Sequence, residues 1–150
     1  MDVAAALWGG IIGAIVAATV YIGFLGLRLT RFDLLRFEGG LLIRERTNMV
    51  YIYGAVVQLV AGALLALGYR LVFQRLDSAT MVGWGALLGL AQGVLALLLL
   101  PLFGAVNRNV RAGDEPPPGL AGRGHGGLTP VAVLVASVVF GTWVGIVLLP

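Results

Sequence analysis

The chain has 150 residues, 59% of them hydrophobic and only 11% charged, with a mean hydropathy of +0.99 and a net charge of +3. An ordinary soluble domain carries about 25% charged residues, so bilayer solvation is the simpler account of this composition. The absence of cysteine excludes disulfides, thiolate metal sites and thiol catalysis.

Crossing a hydrocarbon core of about 30 Å takes roughly 20 apolar residues. Four stretches meet that requirement: 3–27, 49–68, 79–100 and 130–149. The fold class that follows is all-α, a polytopic four-helix transmembrane bundle forming one domain, with a short interfacial segment in the first loop. The first stretch has no basic residues before its apolar run and is too long for the core of a secretory signal, so it is expected to remain in the mature protein. Each stretch carries small residues four apart: Gly9, Gly13 and Ala17; Gly54, Gly62 and Ala66; Gly85, Gly89 and Gly93; Ser137, Gly141 and Gly145. Such ladders let helix backbones approach closely and are expected at packing faces. Thr47 or Asn48 is placed to cap the second helix and Ser78 the third. Thr129 with Pro130 should cap and open the fourth. Pro101 and Gly104 should bend or end the third helix. Tyr51, Tyr53, Tyr69 and Phe73 stand near the ends of the second helix, where aromatic rings prefer the headgroup region.

All ten basic residues are arginine. Arg28, Arg31, Arg36, Arg44, Arg46, Arg108, Arg111 and Arg123 fall in the first and third loops, against Arg70 and Arg75 in the second. The positive-inside rule then puts the first and third loops in the cytoplasm and both termini outside. The first loop, 28–46, alternates arginine with Leu29, Phe32, Leu34, Leu35 and Phe37. It reads as an interfacial helix whose Arg28, Arg31, Arg36, Arg44 and Arg46 contact lipid headgroups, with Thr30 and Asp33 as a weak capping pair. Although the sequence pI is near 10.0, the arginines are interspersed with Asp33, Glu38, Glu45, Asp114 and Glu115, so membrane lipid and not nucleic acid is the expected partner. The third loop, 107–129, with its Pro116-Pro117-Pro118-Gly119 and Gly122-Arg123-Gly124-His125-Gly126-Gly127 runs, reads as an irregular connector. It lacks the lysine and Ser/Thr of a P-loop, and His125, the only histidine, reads as a surface residue.

All seven carboxylates lie at the N-terminus or in loops, so no spanning helix supplies an Asp or Glu for an ion relay. The intramembrane polar groups of interest are Gln58 and Ser137, both on glycine stripes, and Gln92 beside one, positioned to reach Gln58 if the second and third helices pack together. Hydrogen bonds between helices of this kind fix register at about 1 kcal/mol each. Trp8-Gly9-Gly10-Ile11-Ile12-Gly13 is similar to Trp84-Gly85-Ala86-Leu87-Leu88-Gly89, which would make the halves two helical hairpins related by a parallel repeat.

The glycine-rich first helix with Thr19 and Val20, the 62–69 stretch, Pro101-Leu102-Phe103-Gly104, and Phe140-Gly141 with Gly145 give the chain a layout that resembles a family of short, uncharacterised four-helix integral membrane proteins of bacteria and archaea. The resemblance implies a four-helix fold in a prokaryotic inner membrane, with no activity attached. Members of that family tend to carry histidine four residues before the glycine in the second and fourth helices, where this chain has Gln58 and Ser137.

Three functions are compatible with these features. The first is a non-catalytic accessory subunit of a larger membrane assembly, because a lone bundle is not expected to bury every glycine face; its partners would be other transmembrane subunits or copies of itself. The second is a homo-oligomeric channel or carrier for a neutral or lipid-like solute, lined by Gln58, Gln92, Thr19 and Ser137. The third, a lipid-headgroup enzyme, lacks a nucleophile and base pair, so the expectation is no catalysis and no cofactor beyond bound lipid.

Overall fold

The computed structural model describes residues 2–44 and 48–149, and at Ser78 the backbone alone. Arg46 and Thr47 lie outside the described residues, as does the side chain of Ser78. Six α-helices follow one another: α1 (Val3–Gly26), α2 (Leu34–Leu42), α3 (Met49–Phe73), α4 (Met81–Val106), α5 (Arg108–Arg111) and α6 (Thr129–Val147). No strand occurs among the described residues. Helices α1, α3, α4 and α6 are long and apolar enough to cross a bilayer. The protein is thus an all-α, multi-pass membrane bundle.

Packing follows the small residues. A methyl group at Gly10 would overlap the Gly62 carbonyl, and one at Gly62 would stand 2.6 Å from the Ala14 methyl, so α1 and α3 meet backbone to backbone. On the other side of α1, Gly9 faces Val147, and Gly13 faces Phe140 and Trp143 of α6. Helices α4 and α6 are locked by three glycine contacts: Gly85 against Gly141, Gly89 against the Ser137 carbonyl, and Gly145 against the Met81 carbonyl. Gly93 rests on the Ser137 side chain. The four spanning helices therefore run in the spatial order α3, α1, α6, α4, with each neighbouring pair in close contact. Helices α3 and α4, although consecutive, barely touch. The ring is left open between them.

Gly54 does not face another spanning helix. Its missing side chain admits the Leu35 carbonyl of α2, and Gly39 of α2 in turn admits the Val50 carbonyl. All nine ladder glycines (Gly9, Gly13, Gly54, Gly62, Gly85, Gly89, Gly93, Gly141 and Gly145) are thus covered within the chain, which corrects the expectation that some would be left over for a partner. The first loop is likewise more than an interfacial strip: α2 docks onto the start of α3.

Several local expectations are corrected. Thr129 is the first residue of α6 after Leu128, with Pro130 next, and its buried hydroxyl meets that of Thr30 at 2.7 Å instead of capping the helix. Asp33 alone caps α2, accepting from the Arg36 amide, because the Thr30 hydroxyl is engaged with Thr129 and the Phe32 amide. Asn48 makes no side-chain cap. Helix α4 runs through Pro101 to Val106. The third loop is not an irregular strap. It contains α5 and a 3-10 stretch at Leu120–His125, and it interlocks with the first loop. Buried Asn107 donates to the Phe37 carbonyl at 2.7 Å, the Arg31 amide donates to the His125 carbonyl at 2.9 Å, and Arg36 and Arg44 pair with Glu115 and Asp114.

Gly141→Ala should push α6 off α4 and lower stability by about 1–3 kcal/mol, the usual cost of overpacking. Gly68→Ala, on a helix face with nothing within 4 Å, should be neutral or stabilise by about 0.5–1 kcal/mol. Unfolding of the two variants in matched detergent, compared with wild type, measures both effects.

Candidate functional site

The gap between α3 and α4 is a cleft of about 440 Å³, floored by α1 and α6 and closed at the loop end by α2. Its walls are mostly aliphatic and aromatic, and four of the sequence's polar candidates can be placed relative to it. Gln58 on α3, Gln92 on α4 and Ser137 on α6 all line it. Thr19 does not: it is exposed on the far side of α1, its hydroxyl donating to the Ile15 carbonyl at 2.8 Å. Gln58 and Gln92 do not bond to each other: Gln58 faces α2, and Gln92 reaches α3 at a different residue. Gln92 Oε1 instead accepts from the Tyr69 hydroxyl at 2.7 Å. Tyr69 is buried, with its ring edge-on to Phe73 and Phe140.

The polar group that faces Gln58 is a carboxyl group from the first loop. When the Gln58 amide is oriented with its nitrogen towards α2, it donates to both oxygens of Glu38, at 2.6 and 3.0 Å. Gln58 lies nine residues into the 25-residue helix α3, about 14 Å along the axis at 1.5 Å per residue. Helix α3 is therefore about 37 Å long and overshoots a core of about 30 Å by only a few ångström at each end. With α3 centred on such a core, Gln58 and the Glu38 carboxyl beside it fall within the hydrocarbon span. This corrects the expectation that the chain offers no carboxylate within the membrane: the spanning helices supply none, and the docked loop helix does.

Burial pushes the Glu38 carboxyl up to about 8. The group is neutral over most of the physiological range, and the Gln58 amide suits either state: its nitrogen donates to the carboxylate and its oxygen accepts from the acid. A signal for this site was present in the sequence. Leu34, Phe37, Glu38 and Leu41 fall at spacings of three and four, so Glu38 stands on the apolar stripe of α2, and all four residues line the cleft.

A second cavity, of about 290 Å³, lies among the interlocked loops, lined by residues that include Arg31, Asp33, Arg36, Asp114, Glu115 and His125. Burial raises Glu115 while Arg36 opposes it, and burial lowers His125 while a hydrogen bond to the Pro116 carbonyl opposes it. His125 is half-buried, its ring 4.9 Å from that of Phe32, and is not the surface histidine expected. Of the arginines expected at headgroups, Arg28 and Arg31 are exposed, and Arg36 and Arg44 are engaged in the ion pairs described above. Arg28 also takes a left-handed backbone at φ 60, ending α1 where glycine is commoner. No group of three or more metal-ligating side chains occurs among the described residues. Glu115 in this cavity pairs with Arg36, and Asp114 with Arg44 outside its lining, whereas Glu38 faces an amide; the cleft is therefore the better candidate for a ligand.

A carboxyl raised on folding holds its proton to higher pH than in the unfolded chain. Its contribution to stability is fully present below about pH 4.5 and is lost as pH rises to about 8. Stability in detergent should therefore decline across that window in wild type, and the decline should be reduced in Glu38→Gln, which cannot ionise. Denaturation midpoints measured from pH 4 to 9 for both proteins check this.

No protein-family model, curated protein or solved structure matches the chain.

Proposed function

We propose that the protein is a non-catalytic binder or carrier of a lipid-like solute, held in the cleft between α3 and α4. One observation carries this reading: the seam between α3 and α4 leads into a cavity that combines a long apolar wall with a few polar groups. Cavities of about 300–1,000 Å³ with this balance are the usual sites for small ligands. A helix about 10 Å across would fill 440 Å³ with roughly one turn, so the space suits a chain-like molecule better than a spanning segment of another subunit. An accessory-subunit role has less support, since the glycine faces that motivated it are covered within the chain. Catalysis also lacks support, because the cleft offers a carboxyl group without a nucleophile to activate.

The setting we propose is a prokaryotic inner membrane with the arginine-rich loops in the cytoplasm and both termini outside. The bias of arginine towards the first and third loops supports that orientation. The cleft's polar level would then lie nearer the cytoplasmic side, under the lid formed by α2.

Ala61 and Ala96 line the cleft from its opposite walls, and neither is fully buried. Ala61→Trp or Ala96→Trp should fill the space and weaken binding of a fluorescent acyl-chain probe by about tenfold or more, a loss of at least 1.4 kcal/mol. Equal probe affinity in both variants and wild type, with the fold intact, would contradict the proposal.

A further inference from the structure

We propose that Glu38 makes the cleft selective for amphiphiles with a cationic amine head, which displace the carboxyl proton when they bind. This inference rests on the cleft being a ligand site and names the ligand's charge.

The cleft lining contains one ionisable acid and no basic residue: Glu38 is accompanied by Gln58, Gln92, Ser137 and Tyr21 among hydrophobic side chains. A carboxylate at hydrocarbon depth is costly unless it is paired. Among the described residues, the cleft lining supplies no cation for the pairing. From α1, Tyr21 faces the group, but its hydroxyl donates to the Phe32 carbonyl at 3.0 Å. Helix α3 presents the Gln58 amide, α4 presents Gln92, whose Oε1 is taken by Tyr69, and α6 presents Ser137. Asn107, beside α5, spends its amide on the Phe37 carbonyl. On α2 itself, the charged neighbour Arg36 belongs to the other cavity, where it pairs with Glu115, and Asp33 caps the helix and accepts from the Tyr51 hydroxyl. The one way to hold Glu38 both ionised and compensated is therefore to bring a cation in with the ligand.

The rest of the lining suits that partner. The rings of Phe37, Phe103, Phe140 and Tyr21 border the cleft, and aromatic faces attract ammonium groups. An anionic head would meet Glu38 with no arginine in the lining to offset the repulsion, and a neutral head would gain a hydrogen bond but no charge pairing. In the empty cleft the carboxyl keeps its proton, since desolvation raises it to about 8. When an alkylammonium enters, the acid O–H bond breaks, the proton leaves to water, and the carboxylate pairs with the ammonium. The site's net charge stays at zero in both states, which is the condition for an inexpensive exchange in hydrocarbon.

Calorimetric titration of the detergent-solubilised full chain with dodecylamine, dodecanol and dodecanoate tests this. Repeating the titrations at pH 7 in buffers of different ionisation heat counts the protons released. Wild type should bind the amine about tenfold or more tightly than the alcohol and release about one proton per amine bound. In Glu38→Gln the preference for the amine over the alcohol and the proton release should both be lost, and a thermal unfolding profile at pH 5 matching wild type shows that the fold is intact. Equal amine affinity in wild type and Glu38→Gln, or amine binding without proton release, would overturn the inference. Absence of binding by all three compounds to wild type would instead overturn the cleft as a ligand site.

Discussion

The backbone contact between α2 and α3 determines most of what is distinctive about this protein. At Gly39 and Gly54 each helix admits a carbonyl oxygen of the other, so the loop helix sits on the spanning helix more closely than any side chain would allow. That approach carries the next turn of α2 down the face of α3, and the Glu38 carboxyl arrives at Gln58. It also occupies the α3 face above Gly62, which leaves α3 joined to the other spanning helices mainly through α1, with the Tyr69 ring and hydroxyl reaching Phe140 of α6 and Gln92 of α4. The glycines of the second hairpin do the reverse. Gly85, Gly89, Gly141 and Gly145 draw α4 and α6 together along their length, so α4 leans on α6 and only barely on α3. The cleft is what remains when both hairpins are satisfied.

The loops hold this arrangement from one end. The Thr30–Thr129 hydroxyl contact, the Asn107–Phe37 bond, and the Arg36–Glu115 and Arg44–Asp114 pairs join segments 70 to 99 residues apart. Most involve the residues just before or within α2. A change in these contacts would therefore move α2 and with it the carboxyl that borders the cleft, so the loop cavity and the cleft share one structural element. The joined loops hold α2 over the loop end of the cleft.

The parts of this structure that were legible in the sequence are those with a local period. Small residues four apart mark helix faces, and runs of about 20 apolar residues mark spans, because both depend on a single helix. What the sequence left unread depends on which helix meets which. Gly54 carries the same signature whether it faces a spanning helix or a loop helix, and Gly10, one residue from the expected ladder, proved to be the residue facing Gly62. Thr129 before proline has the pattern of a cap, but a hydroxyl 99 residues away in sequence competes for it. Glu38 was classed with the loop carboxylates because charge normally marks exposure. Its position on the Leu34, Phe37 and Leu41 stripe was the local sign that it would face inward with them.

What matters most is that the loop carboxylate Glu38, half-buried in the cleft against Gln58, stays protonated near neutral pH. Difference infrared spectroscopy of wild type against Glu38→Gln, titrated in lipid bilayers, reads the protonated carbonyl band of this one group directly. The account predicts a band that persists through neutrality and is lost near pH 8. A band lost near pH 4.5, the value of a solvated glutamate, would place Glu38 in water and contradict it.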